Sequence, residues 1–434
     1  MIVVGLVIGM GIFRVPTEVA LKAHVPSVFF LAWITGAVVS FIGALTFAEI
    51  GSRYPVAGGF YKIFSHCYHP CFAFMVNWII VISNAGATAS VAIMGAEYIA
   101  PVLVPGMQHE VAIKLISLAS VAMLYFINML GIKLSSRLLN GLMIIKLGML
   151  LLLISAIFFV HNPAAKEVAA TNDLSLPDMT KAFLLCFIPM FFSYGGYQQT
   201  MNFGDDIPNA NRTMPRAIFY GISIVLLVYL MVNFSYYKVL GFRGLQHTTT
   251  IASDITGLMF GSWGFRLVSV IMFFSVMAYV NVSIMSNPRI YFAMAEDKVL
   301  PPVFKKLNHK TQVQEFSLTV FCAFVLITLF FISSFQKILE HVMFFDSISL
   351  ITAAACIFVL RYRAKRSGER KTVFKLKGYP VLPAIFILVY SAVIAAIFYA
   401  NQSAAISGFV LFILGFPLYY LIKFVVDRQS VNAS

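Results

Sequence analysis

Apolar runs follow one another along almost the whole chain, at roughly 1–22, 27–50, 70–99, 111–132, 138–160, 181–204, 215–240, 264–293, 316–335, 341–361, 381–400 and 404–425. Each is about 20 residues long, enough for a helix to cross a hydrocarbon core of about 30 Å. The joints carry the residues that end helices: Pro26, Pro55 with Gly58 and Gly59, Pro70, Pro101 and Pro105, Pro163, Pro208 and Pro215, Pro301 and Pro302, and Gly378 with Pro380. The pattern predicts an all-α membrane protein with twelve transmembrane helices.

Two of these runs are interrupted. Gly9-Met10-Gly11-Ile12-Phe13 breaks the first, and Phe192-Ser193-Tyr194-Gly195-Gly196 breaks the sixth. A broken span is costly in lipid because the freed N–H and C=O groups find no water, so it persists where those groups line a cavity or meet a ligand. Breaks at matching places in two halves of a chain point to an inverted-repeat transporter with its binding site at the breaks. Helices one to five (1–160) and six to ten (181–361) then form two repeats of opposite orientation. Helices eleven and twelve (381–425) trail them, and the whole 1–434 chain is one transporter domain. Small residues in membrane helices also serve close packing, and each break taken alone admits that reading. A dinucleotide-binding reading of Gly9-x-Gly11 fails, because Arg14 stands at the third glycine position and no strand precedes it.

Unwound helix ends suit a zwitterion. Gly9 and Gly11 let the backbone open and a ligand come close. The N–H groups around Gly11, Ile12 and Phe13 start the outer half-helix, whose positive end favours a carboxylate. In the sixth span Gly195 and Gly196 act alike, and the carbonyls of Phe192, Ser193 and Tyr194 are placed to accept from an ammonium. The expected substrate is an amino acid, held by Gly9, Met10, Gly11 and Ile12 on one side and by Phe192 to Tyr197 on the other.

Composition narrows the class. Of the 434 residues 60% are hydrophobic and 11% charged, and the mean hydropathy is +0.89, so the partner is the lipid bilayer. The net charge of +14 lies in the loops. With the spans above, 21 Lys and Arg fall on one side, eight of them between Arg361 and Lys377, against 8 on the other, leaving Arg14 and Lys146 inside the membrane. Basic loops mark the cytoplasmic face, so both termini are placed in the cytoplasm of a plasma-membrane protein, and nucleic acid is not the partner. The five cysteines are scattered and imply neither a disulfide framework nor a metal site. All eight histidines lie in loops or at span ends, so no catalytic histidine is buried, and neither an enzyme nor a cofactor is expected. A passive channel or a solute receptor stays open. Only eight residues precede Gly9, a half-helix of about 12 Å, so a cytoplasmic leader before Met1 is expected in the native protein.

Several polar residues inside the spans need an account. Lys146 lies nine residues past Arg137, about 13 Å into the core, where a cation is costly unless it is paired. It is either functional or a structural ammonium on carbonyls. Arg14 either reads an acidic side chain of the substrate or pairs with Glu18 at i,i+4. Glu49 suits a gating salt bridge better than a proton relay. Asn77, Asn84 and Thr88 share one face of span three, as a polar lining or as interhelical hydrogen bonds. Adjacent Asp205 and Asp206 diverge by about 100° and suit capping rather than two-acid catalysis.

Gly9-Met10-Gly11-Ile12-Phe13 and the stretch from Ala48 to Tyr61 (AEIGSRYPVAGGFY) resemble the first- and second-span signatures of the amino acid–polyamine–organocation superfamily. Phe192 to Tyr197, Asn209 to Ile218, Asn281 to Ser283, Arg289 and the stretch from Glu296 to Pro301 are similar to the corresponding segments of its L-type amino acid transporter and bacterial permease branch. Met10 replaces the usual small polar residue, and Tyr197 stands where relatives often have Trp. The resemblance implies a LeuT-type 5+5 inverted repeat with helices one and six broken. It implies sodium-independent amino acid transport by alternating access, through exchange or proton symport. A polyamine or organocation carrier of the same fold, or a non-transporting amino acid sensor, is the alternative. Lys146 then substitutes for bound sodium, coupling the Gly11 region of span one to Ser283 in span eight. Heteromeric relatives use an extracellular Cys between spans three and four; the loop from Pro101 to Glu110 has none, so no disulfide-linked partner subunit is expected.

Overall fold

The computed structural model describes residues 8–54, 59–130, 136–160, 175–198, 210–308, 311, 313–332, 334–367 and 374–431. The first seven residues of the first span, residues 55–58, Pro163, Asn209, and Asp205 and Asp206 lie outside the described residues.

Fourteen helices are named in chain order: α1 (Val15–Ala23), α2 (Pro26–Arg53), α3 (Gly59–Cys67), α4 (Pro70–Leu103), α5 (His109–Met129), α6 (Ser136–Phe159), α7 (Leu176–Tyr194), α8 (Ala210–His247), α9 (Ile251–Ser286), α10 (Pro288–Glu296), α11 (Glu315–Phe331), α12 (Phe335–Ser367), α13 (Val381–Ala400) and α14 (Gln402–Val431). No strand occurs among the described residues. Proline stands in the first turn of α1, α2, α4 and α7, where its missing N–H has no intrahelical partner to lose. The His69 ring accepts from the Cys71 N–H to cap α4, and the Ser175 hydroxyl caps α7 through the Asp178 N–H.

The helices fall on the apolar runs but outrun them. The sixth begins at Leu176 rather than 181, whereas α9 is two helices joined at Gly261, the first turned back on the second so that Ser269 bonds Ser253 at 3.0 Å, and the second starts close to the expected 264. Backbone hydrogen bonding continues past the membrane boundary, whereas apolarity stops there. Positive-φ glycines kink α8 at Gly241 (φ 73°) and α9 at Gly261 (φ 70°). Among the described residues nine stretches are long and apolar enough to cross a membrane, and Ile144–Phe159 and Glu315–Phe331 are shorter apolar helices.

Burial orders the bundle. The apolar window of α4 is 78% buried, against 22% for α5 and 17% for α14, so α4 is central and the other two are peripheral. Phe158, Phe159, Leu130 and Phe331 are exposed, an apolar surface that lipid accepts and water does not. Ion pairs then gather at two ends. Glu49, Arg53 and Arg361 meet at one, with Lys62–Asp297 nearby; Arg14, Glu18 and Glu97 meet at the other, with Lys22–Glu340.

Candidate functional site

The two interrupted spans touch at their interruptions. Before α1 the chain is non-helical from Ile8 to Met10, turns through a short 3-10 segment at Gly11–Phe13, and becomes α-helical at Val15. α7 ends at Tyr194; Gly195 is extended, and Gly196 has φ 110°, a backbone that glycine alone adopts without strain. A Cβ placed on Gly11 would lie 3.2 Å from the Cα of Ser193 and 3.3 Å from its Oγ. Glycine is therefore what lets the first break lie directly on the second.

Side chains from other helices hold this junction. The Tyr229 hydroxyl of α8 donates to the Ser193 carbonyl at 3.2 Å and takes the Gly9 N–H, so one phenol ties both breaks. Tyr194 donates to the Trp33 carbonyl at 3.0 Å, and the Trp33 ring packs edge-on against Tyr194 and Tyr229. Tyr98 of α4 donates to the Phe13 carbonyl at 3.0 Å. Lys146 of α6 donates to the Ile8 carbonyl at 2.7 Å, placing a cation on the first break.

The peptide groups divide into engaged and available. Phe13 N–H is bound to the Met10 carbonyl and Arg14 N–H to the Gly11 carbonyl; this corrects the expectation that the Phe13 N–H is free for an anion, because the 3-10 turn closes on itself. Gly11 and Ile12 N–H have no partner among the described residues. The Phe192 carbonyl accepts from Gly195 N–H and the Ser193 carbonyl from Tyr229, and each keeps a second lone pair. The Ser193 hydroxyl is buried beside the Tyr229 hydroxyl. Met10 and Ile12 are buried in the wall. Gly196 N–H bonds the Gln198 side chain, and Tyr197 bonds Tyr390 of α13.

Ser283 lies in a different polar cluster. Its hydroxyl meets Thr88 at 2.6 Å and Asn287 at 3.0 Å, and Asn84 donates to Asn287 at 2.7 Å. Among the described contacts Lys146 reaches the first break and Ser283 reaches α4. Asn84 and Thr88 thus make interhelical hydrogen bonds, while Asn77 bonds the Ala73 carbonyl of its own helix.

Charged groups close both ends of the bundle. Arg14 pairs with Glu18 at 2.8 Å and with Glu97 of α4 at 3.0 Å, and its guanidinium lies 5.1 Å from the Phe335 ring. At the opposite end buried Glu49 accepts from Arg53 at 2.6 Å, from Arg361 of α12 at 2.8 and 2.7 Å, and from the Leu376 N–H at 2.7 Å. Arg361 in turn lies over the Tyr379 ring at 3.8 Å. Sequence reasoning found Glu18 and Glu49 but not Glu97, Arg361, Tyr98 or Tyr229, whose partners are more than 35 residues away. All five cysteines are buried and free, and no metal-binding group of three or more ligands occurs among the described residues.

Comparison with known proteins adds an independent line. The family model for amino acid permeases matches residues 1–422. The serine/threonine exchanger SteT of Bacillus subtilis is 27% identical, over 97% of this chain and 94% of that protein. The human cystine/glutamate transporter is 23% identical, over 97% and 83%, and the rat large neutral amino acids transporter small subunit 2 is 24% identical, over 97% and 78%.

Proposed function

We propose that this chain, which belongs to the amino acid permease family, carries amino acids across the plasma membrane by alternating access, without sodium, as an exchanger or a proton-coupled carrier. One observation carries the reading: two glycine-bearing helix breaks lie against each other, with the Gly11 and Ile12 N–H groups unpartnered among the described residues. The substrate carboxylate is assigned to those N–H groups at the start of the outer half-helix. Its ammonium is assigned to the carbonyls ending α7.

The proposal includes a LeuT-type arrangement of twelve helices, with repeats at 1–160 and 181–361, the helices of 381–425 outside them, and both termini in the cytoplasm. The Glu49–Arg361 end then faces inward and the Arg14–Glu97 end outward. Transport requires the two latches to open in turn, while substrate binding stabilises the state in which the breaks close upon it. Lys146 on the Ile8 carbonyl supplies a fixed cation at the first break, which supports independence from sodium. Exchange is favoured by the likeness to the serine/threonine exchanger of Bacillus subtilis. The chain is proposed to work without a disulfide-linked partner, the Pro101–Glu110 loop having no cysteine.

Counterflow in proteoliposomes tests the reading. Internal amino acid should accelerate uptake of labelled external amino acid, saturably and equally in sodium and potassium buffers. Uptake that is unsaturable, or the absence of uptake for every amino acid offered, would overturn it.

A further inference from the structure

Cations gather where α12 leaves the apolar layer. Its last apolar residue before the charges is Leu360, and Arg361, Arg363, Lys365 and Arg366 follow at once. At 1.5 Å per residue, Arg363 to Arg366 lie about 3–8 Å beyond Arg361, the depth of the headgroup layer that flanks a hydrocarbon core of about 30 Å. The other end of the connection lies at the same level. Lys375 and Lys377 stand just before Val381, the first residue of α13, which is 60% exposed on an apolar helix and so meets lipid.

Between those two lysines the chain is tied to the Glu49 latch. Leu376 is buried while Lys375 and Lys377 on either side are exposed, the alternation of an extended chain with one face on the protein. The Leu376 N–H donates to Glu49 at 2.7 Å and its carbonyl accepts from Arg361 at 3.3 Å. The bond to Arg361 also brings Lys375 and Lys377 back to the end of α12 that carries Lys365 and Arg366.

These four cations have no counter-charge in the protein. Among the described residues the ion pairs at this end are Glu49 with Arg53 and Arg361, and Lys62 with Asp297. Lys365, Arg366, Lys375 and Lys377 are exposed and form none. Arg363 is committed to the His66 carbonyl at 2.5 Å. Basic loops are general on one face of a membrane protein. What sets this group apart is that two of its cations flank the residue whose backbone completes the latch.

We propose that Lys365, Arg366, Lys375 and Lys377 bind the headgroups of anionic phospholipids in the adjoining leaflet, and that the bound lipid holds Leu376 on Glu49 and Arg361. Clusters of Lys and Arg just beyond a membrane helix suit such lipids, each cation adding to the attraction. A headgroup on the outward lysines keeps Leu376 turned inward, so anionic lipid favours the state in which this end of the bundle is shut. The phosphate of a zwitterionic lipid is already balanced by its own ammonium and supplies little of this attraction. The inference goes beyond the carrier reading, because lipid binding and latch closure need no substrate.

Hydrogen–deuterium exchange over residues 374–379 tests it, on the purified full-length chain in nanodiscs of phosphatidylcholine with or without phosphatidylglycerol. Protection of the Leu376 amide reports its bond to Glu49. It should rise about tenfold or more with phosphatidylglycerol, and the gain should fade at high salt, because exposed charges are screened. Lys375→Gln/Lys377→Gln should weaken the response to phosphatidylglycerol by about 25-fold, at about fivefold per cation, with exchange in phosphatidylcholine alone unchanged. Equal exchange in the two nanodiscs overturns the proposal. So does a gain that survives in the double variant, which puts the lipid elsewhere, and so does a gain that inorganic phosphate reproduces in phosphatidylcholine nanodiscs, which makes the group a site for a soluble anion. The wild-type comparison needs no variant, so misfolding of the double variant does not protect the proposal.

Discussion

Gly11→Ala tests the contact between the two breaks with one methyl group. Carbon atoms rest at about 3.5–4.0 Å from each other, and the new Cβ would meet the Ser193 Cα at 3.2 Å and Oγ at 3.3 Å. The hydroxyl can rotate, but the Cα belongs to the backbone that Tyr229 and Trp33 hold in place. The breaks must therefore part by a few tenths of an ångström. Overpacking of this kind costs about 1–3 kcal/mol, which at 1.4 kcal/mol per tenfold is about 5- to 150-fold in substrate affinity if the strain falls on the ligand-bound state. The assay is equilibrium binding to purified protein of whichever amino acid raises its thermal stability most, since a ligand of the folded state raises apparent stability. Gly148→Ala in α6 is the control: nothing lies within 4 Å of its Cβ, and alanine gains up to about 1 kcal/mol of helix propensity. Wild-type affinity in Gly11→Ala would refute the claim that the breaks jointly form the site. An equal loss in Gly148→Ala would refute the spatial argument.

Other substitutions probe the groups around the junction. Tyr229→Phe removes the hydroxyl shared by the Ser193 carbonyl and Gly9 N–H, leaving buried backbone groups unpaired at about 1–3 kcal/mol; it should weaken substrate binding by about tenfold or more, read by the same binding assay. Lys146→Met deletes the donor to the Ile8 carbonyl, so exchange measured by counterflow should fall at least about tenfold, the scale of a lost hydrogen bond from a charged group, without sodium restoring it. Arg361→Met leaves Glu49 short of a partner, a change worth about 3–5 kcal/mol for a broken buried pair. Accessibility to a membrane-impermeant thiol reagent of a cysteine introduced at Ser193 should then rise from the Glu49 end and not from the Arg14 end.

Much of the architecture was legible because lipid enforces it. The apolar runs, the punctuating prolines and the glycines of the two breaks each report a local physical demand, and the structure places helices and interruptions at those positions. The helix limits were less legible, since α7 extends into polar sequence where hydrogen bonding continues without apolar side chains, and the break at Gly261 that splits α9 carries no apolar signal. Arg14–Glu18 was readable from i,i+4 spacing, whereas Glu97 was not, because its meeting with Arg14 depends on how α1 crosses α4. Tyr229 likewise looks like one aromatic among many in an apolar helix, and its role follows from its position over Ser193. Lys146 was legible as an intramembrane cation, whereas its acceptor, the Ile8 carbonyl, and the engagement of Ser283 by Thr88 of α4 depend on how the helices pack.

The central claim is that backbone groups at the two breaks hold the amino acid itself. A structure of the purified protein with a bound substrate tests it most directly. The account predicts the α-carboxylate within about 3 Å of the Gly11 and Ile12 amide nitrogens, and the α-ammonium at similar distance from carbonyls of Phe192 to Tyr194. A substrate bound elsewhere, with Gly11 and Ser193 still packed against each other and untouched, would contradict it.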